Sequence, residues 1–224
     1  LFYSSPTALE VGGKEKSLPM YKFENNVSTK QGILVTTEMY YKGEWKTLGT
    51  ATVTDSYSHN ISINPCNVFG GGERLEHGAY PLRIKGRDVA SGVEGNTIHT
   101  AVMCIDAANQ TPVVALRYDD NNNGKVRLYD NLTLDIAAYT PGKTTTAVEV
   151  LMDGMVITSV NCPISQTYSV SKQIQGYASD GTKHFDIFAR SGEAKSETIT
   201  LTVEGSAIDA SVKEGALFAF DFST

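Results

Sequence analysis

The stretch Gly78-Ala79-Tyr80-Pro81-Leu82-Arg83-Ile84-Lys85-Gly86-Arg87 can be laid over Gly181-Thr182-Lys183-His184-Phe185-Asp186-Ile187-Phe188-Ala189-Arg190 with the apolar positions in step. A short polar bend follows each copy, Ser91-Gly92-Val93-Glu94-Gly95 in one and Ser191-Gly192-Glu193-Ala194-Lys195 in the other. Next, Asn96-Thr97-Ile98-His99-Thr100-Ala101-Val102 matches Glu197-Thr198-Ile199-Thr200-Leu201-Thr202-Val203, and both alternate as a half-buried strand does. The period is about a hundred residues, the size of one immunoglobulin-type sandwich. The repeat therefore predicts an all-β chain of two tandem immunoglobulin-like β-sandwiches.

Working outward, each copy has a hairpin upstream in the same relative place. Thr146 to Met152, then Asp153-Gly154, then Met155 to Val160 reads as two strands around a dipeptide suited to a type I′ turn, whose central residues both need positive φ. Ile33 to Tyr41 and Trp45 to Val53 flank Lys42-Gly43-Glu44 and read as the earlier counterpart. Leu82 and Ile84, and likewise Leu132, Leu134 and Ile136, alternate with polar residues, so these strands bury one face. No segment sustains a helical period. The polar, Pro-closed stretch Asp106-Ala107-Ala108-Asn109-Gln110-Thr111-Pro112 marks the boundary and is too short to allow much relative motion. The predicted division is 1–106, 107–205, and a remainder 206–224 whose Ala216-Leu217-Phe218-Ala219-Phe220-Asp221-Phe222 run reads as a terminal strand or the start of a further domain.

The 224 residues carry 19 Lys+Arg against 25 Asp+Glu, a net charge of −6. Without a basic block, binding to nucleic acid is not expected, and the apolar runs are too short for membrane insertion. Hydrophobic residues make up 41% of the chain, enough to build a core. Cys66, Cys104 and Cys162 show no paired spacing, and His59, His77, His99 and His184 are scattered, so neither a zinc site nor a disulfide framework is readable. The cysteines are expected to be reduced and buried as small hydrophobes. The chain begins at Leu1 with no signal-peptide pattern and is expected to be a processed or excised piece. The sequons at Asn26, Asn60 and Asn131 are given no weight.

Several motifs touch on chemistry. Asp119-Asp120-Asn121-Asn122-Asn123-Gly124-Lys125-Val126-Arg127-Leu128-Tyr129-Asp130 has oxygens at loop positions one, three and five, Gly at six and a carboxylate at twelve, as a calcium loop does. Position twelve is Asp rather than Glu, however, and strands rather than helices flank it, so the Asn-Gly turn is the preferred reading. Pro141-Gly142-Lys143-Thr144 lacks the first Gly of a phosphate loop, since position 137 is Ala137. Ser169-Val170-Ser171-Lys172 satisfies S-x-x-K but lies in a strand-like stretch without the partner motifs. Gly70-Gly71-Gly72 reads as a flexible connector. No catalytic, cofactor or metal residues are therefore predicted. Of the aromatics around the first hairpin, Tyr40, Tyr41 and Trp45, the lone Trp45 is expected in the core and Tyr41 at best as an exposed contact.

The order Gly78 to Leu82-x-Ile84, bend, Asn96-x-Ile98 and a strand ending Val102-Met103-Cys104-Ile105-Asp106 resembles the last hairpin of immunoglobulin-like domains in very large modular surface proteins of gut Bacteroidetes and tail or fibre proteins of their tailed phages. The second half, with Tyr129 to Ile136 and Tyr139-Thr140-Pro141-Gly142, is similar to the companion domain of such proteins. The resemblance implies a non-enzymatic structural or adhesion segment in a virion tail or on the bacterial cell surface. It implies partners among other domains or subunits of the same assembly, or a cell-surface protein or glycan. The alternative expectation is a carbohydrate-binding or accessory β-sandwich module of a secreted polysaccharide-active enzyme.

Overall fold

The computed structural model describes residues 6–22, 32–54, 58–95, 97–120, 125–127, 131–173 and 182–206, and every regular element among them is a β-strand. The first half contributes β1 (Thr7–Glu10), β2 (Lys16–Lys22), β3 (Ile33–Tyr41), β4 (Glu44–Val53), β5 (Ser58–Ile63), β6 (Gly78–Asp88) and β7 (Thr97–Ile105). The second contributes β8 (Val113–Asp120), β9 (Lys125–Arg127), β10 (Asn131–Tyr139), β11 (Thr145–Met152), β12 (Met155–Pro163), β13 (Tyr168–Gln173), β14 (Thr182–Ser191), β15 (Ala194–Lys195) and β16 (Ile199–Ser206).

Both halves are immunoglobulin-like sandwiches. In the first, β4-β3-β6-β7, with β1 parallel to β7, packs against the β2-β5 pair. Leu18, Ile61 and Ile63 meet Val35, Met39, Leu82, Ile84 and Val102 in one core. In the second, β8, β10 and β13 face β12-β11-β14-β16, with β9 parallel to β16. Its core joins Leu134 and Ile136 to Val148, Val150, Phe185 and Ile187. The internal repeat is thus structural. Leu82 and Phe185 are buried at equivalent places, and Ile84 pairs with Ile98 as Ile187 pairs with Ile199.

The two hairpins form because their turns supply positive φ where two-residue loops require it. Asp153 and Gly154 lie at φ 48° and 81°, and Lys42 and Gly43 at 51° and 88°. The first turn therefore spans two residues rather than the three expected, and this corrects the facing of the aromatics. Tyr41 stands opposite Glu44 and Tyr40 opposite Trp45. Tyr41 is 4% exposed and shares the inward face with Val35 and Met39. Trp45, expected in the core, lies half-buried on the outer face with Tyr40.

Gly70-Gly71-Gly72, expected to be a flexible connector, is a pinned loop. The Gly71 amide donates to Glu73 Oε2 at 3.0 Å and the Gly72 amide to Asn67 Oδ1 at 2.7 Å. The buried Leu75 and Val68 flank it, and their amides donate to the Pro65 and Glu73 carbonyls. The three cysteines are free. Cys104 and Cys162 are buried, whereas Cys66 is only half-buried.

The halves share one sheet. Residues 113–117 of β8 pair with β10 of the second sandwich, while Tyr118, Asp119 and Asp120 pair with His99, Ile98 and Thr97 of β7 in the first. Strand β8 therefore runs back along β7 and belongs to both sandwiches. Between the two pairings Ala101, Met103, Ile105, Val113, Ala115 and Ala137 close into a small apolar joint of their own. Three of these six are alanines.

Candidate functional site

Because β8 leaves β7 to join β10, the two sheets splay and a groove of about 800 Å³ opens between the sandwiches. Pro81, Ala101, Val113 and Leu116 form part of its apolar floor, and Lys195 to Ile199 of the second sandwich form the facing wall. Its other wall is the outer face of β3, β4, β6 and β7, where strand register lines up chemically distinct side chains. Glu38 stands opposite Arg83, Arg83 opposite His99, and His99 opposite Tyr118, one cross-strand row over four strands.

Each member of that row is held by its neighbour. The Arg83 Nε–H donates to Glu38 Oε2, and Lys85 Nζ reaches the same oxygen at 2.8 Å. The hydrogen bond from Arg83, with help from Lys85, holds the Glu38 carboxyl below its ordinary range despite partial desolvation. The Arg83 guanidinium also lies 4.2 Å from the centre of the Trp45 ring, and Tyr40 tilts against the same indole at 5.4 Å between centroids. His99 and Tyr118 stack at 4.4 Å with their rings 6° from parallel. A rigid aromatic and cationic surface results, with Tyr40 its most exposed aromatic, at 41%.

The floor of the groove is fixed by the connection between sandwiches. His77 Nδ1 accepts from the Asp106 amide at 3.0 Å, so Nε2 carries the proton and donates to the Thr111 carbonyl at 2.9 Å. One imidazole thus bridges both ends of the turn. Within it, Asp106 Oδ1 accepts from the Ala108 amide and Asn109 Oδ1 from the Thr111 amide. The Ser196 hydroxyl accepts from the Ala189 amide at 2.9 Å and donates to the Glu197 carbonyl at 2.7 Å. The His77 imidazole and the Ser196 hydroxyl are therefore both engaged with backbone.

The other motifs fall away from the groove. Ser169 of S-x-x-K lies on β13 and its hydroxyl donates to Asp135 Oδ1 at 2.5 Å, while Asp135 Oδ2 takes Arg117 Nη1 at 2.6 Å. Pro141-Gly142-Lys143-Thr144 is a tight turn with Gly142 at φ 75° and the Lys143 amide donating to the Thr140 carbonyl. Residues 121–124 and 128–130 of the calcium-like loop, and the 207–224 segment, lie outside the described residues. Among the described residues there is no group of three or more His, Cys, Asp or Glu arranged to hold a metal, and no helix long and apolar enough to cross a membrane. Sequence reasoning missed the groove because Glu38, Arg83, His99 and Tyr118 are joined only by strand register across three strand pairings. The one available signal was the parity of Tyr40 and Trp45 in the hairpin.

No family model and no curated protein matches this chain. Among solved structures it is similar to the fibronectin(III)-like modules of Clostridium thermocellum CbhA, at 16% identity over 91% of this chain and 90% of that one, with a TM-score of 0.33. It is also similar to a chimeric titin Z1Z2 tandem, at 12% identity over 92% and 98%, TM-score 0.32. A 1.5-MDa bacterial ice-binding adhesin aligns at 10% identity over 89% of this chain and 60% of that one, TM-score 0.29.

Proposed function

We propose that the chain is a non-enzymatic structural and adhesion segment of a large modular protein, carried on a bacterial cell surface or in a phage tail or fibre. Its working units are two domains spanning 1–106 and 107–205. The observation that carries this reading is the way the sandwiches are joined. A strand shared by the two sandwiches, an alanine-rich apolar joint and a histidine-pinned turn hold the second sandwich beside the first, which suits a segment that must present a surface at a fixed geometry. The lateral groove is the surface so presented, and its partners are other domains or subunits of the same assembly, or a cell-surface protein or glycan. The net charge of −6 sets it apart from modules that bind nucleic acid.

Immunogold labelling of the source culture with antibody against the purified chain tests the proposal. Label on virions or on the outer cell surface is the expected result. Label confined to the cytoplasm of intact, uninfected cells would overturn it.

A further inference from the structure

We propose that the groove between the sandwiches is a binding site for a neutral oligosaccharide chain. The inference rests on the adhesion reading and names the partner of that surface. Sugar rings offer apolar C–H faces that stack on aromatic side chains and hydroxyls that need paired donors and acceptors. The groove supplies both. Tyr40 and Trp45 sit at one rim, with Tyr40 41% exposed and Trp45 held in orientation by the Arg83 guanidinium. Asn109, Thr111 and Thr198 add amide and hydroxyl groups to the lining.

Charge selects the class of glycan. Apart from the histidines, the lining carries only Lys195 and Glu197, one of each sign, and the nearby Arg83 and Lys85 are both drawn onto Glu38. These groups leave one net positive charge at the groove on a chain of net charge −6, too little to hold an acidic polysaccharide. At about 800 Å³, the space falls within the range of small-molecule sites.

Trp45 is the only tryptophan, so its emission reports on this groove directly. The full chain would be titrated with cellohexaose, xylohexaose, mannohexaose, maltohexaose and chitohexaose, and with a heparin-derived hexasaccharide, and followed by fluorescence and calorimetry. Saturable binding of at least one neutral probe is expected, weakened tenfold or more in Tyr40→Ala. It should be unchanged in Tyr168→Ala, which removes an exposed tyrosine on β13 outside the groove. Because Tyr40 is an exposed side chain, its variant should keep the parent's circular dichroism. Absence of binding to every neutral probe, binding of the acidic probe alone, or equal affinity in Tyr40→Ala would overturn the site. Surface immunogold label without sugar binding would remove this inference and leave the adhesion reading standing. Sugar binding by a chain found only in the cytoplasm would do the reverse.

Discussion

Thr37 is fully buried on β3 and its hydroxyl has no hydrogen-bond partner among the described residues, so the folded state bears a desolvation cost there. Replacing it by the near-isosteric valine removes the polar atom without opening a cavity. Thr37→Val should raise stability by about 1 kcal/mol, read as a higher urea midpoint with an unchanged slope. The next residue along the chain, Glu38, carries the opposite logic. Its carboxyl is held below the ordinary range by Arg83 and Lys85, so folding favours the ionised form. That stability is fully present above the unfolded pKa and drains away as pH falls through the folded one. Urea midpoints measured from pH 7 down to pH 3 should therefore fall in the parent, and fall less steeply in Glu38→Gln. Burial pushes the Cys104 and Cys162 thiols up to about 11, leaving almost no thiolate at pH 8. Iodoacetamide should thus label the native chain at Cys66 alone, and all three cysteines after denaturation, as counted by intact mass.

At the scale of elements, the strands announce themselves through composition, but their facing depends on a single residue of turn length. Ile33, Val35, Thr37, Met39 and Tyr41 form the more apolar parity of β3, while Leu34, Thr36, Glu38 and Tyr40 form the other. Reading Lys42-Gly43-Glu44 as a three-residue turn sets Trp45 across from Tyr41. The two-residue turn sets it across from Tyr40, on the face that carries Glu38. The hairpins and the repeat were readable because Asp-Gly, Gly positions and β-branched alternation are local signals. The row from Glu38 to Tyr118 was not, because strand order across β3, β6, β7 and β8 is decided by tertiary pairing. Turn chemistry also yields a test. Lys42 sits at φ 51°, where a side chain other than Asn, Asp or Gly is strained. Lys42→Asn should stabilise the fold by up to about 1 kcal/mol, and Gly154→Val, forced to φ 81°, should cost about 1–2 kcal/mol. Thermal melts of the two variants, moving in opposite directions, would check that both turns are of the same type.

For the whole molecule, the decisive quantity is how far the two cores depend on each other. Each has its own large buried side chains, Met39 and Leu82 in one, Phe185 and Ile136 in the other, so each could unfold separately if nothing coupled them. The coupling is the joint around Ala101, Met103, Val113, Ala115 and Ala137, reinforced by the three paired positions between β7 and β8. Ala115 is fully buried there among apolar side chains. Ala115→Asp places a carboxylate where burial costs several kcal/mol, yet that cost is avoided if the joint opens and both cores survive. The parent is therefore expected to melt in one calorimetric transition and the variant in two, with a larger radius of gyration by small-angle scattering before either transition. A variant that melts once at a lower temperature, with an unchanged radius, would mean that Ala115 serves the second sandwich alone. The geometry of the groove would then rest on the β7–β8 pairing and on the His77 bridge across the turn.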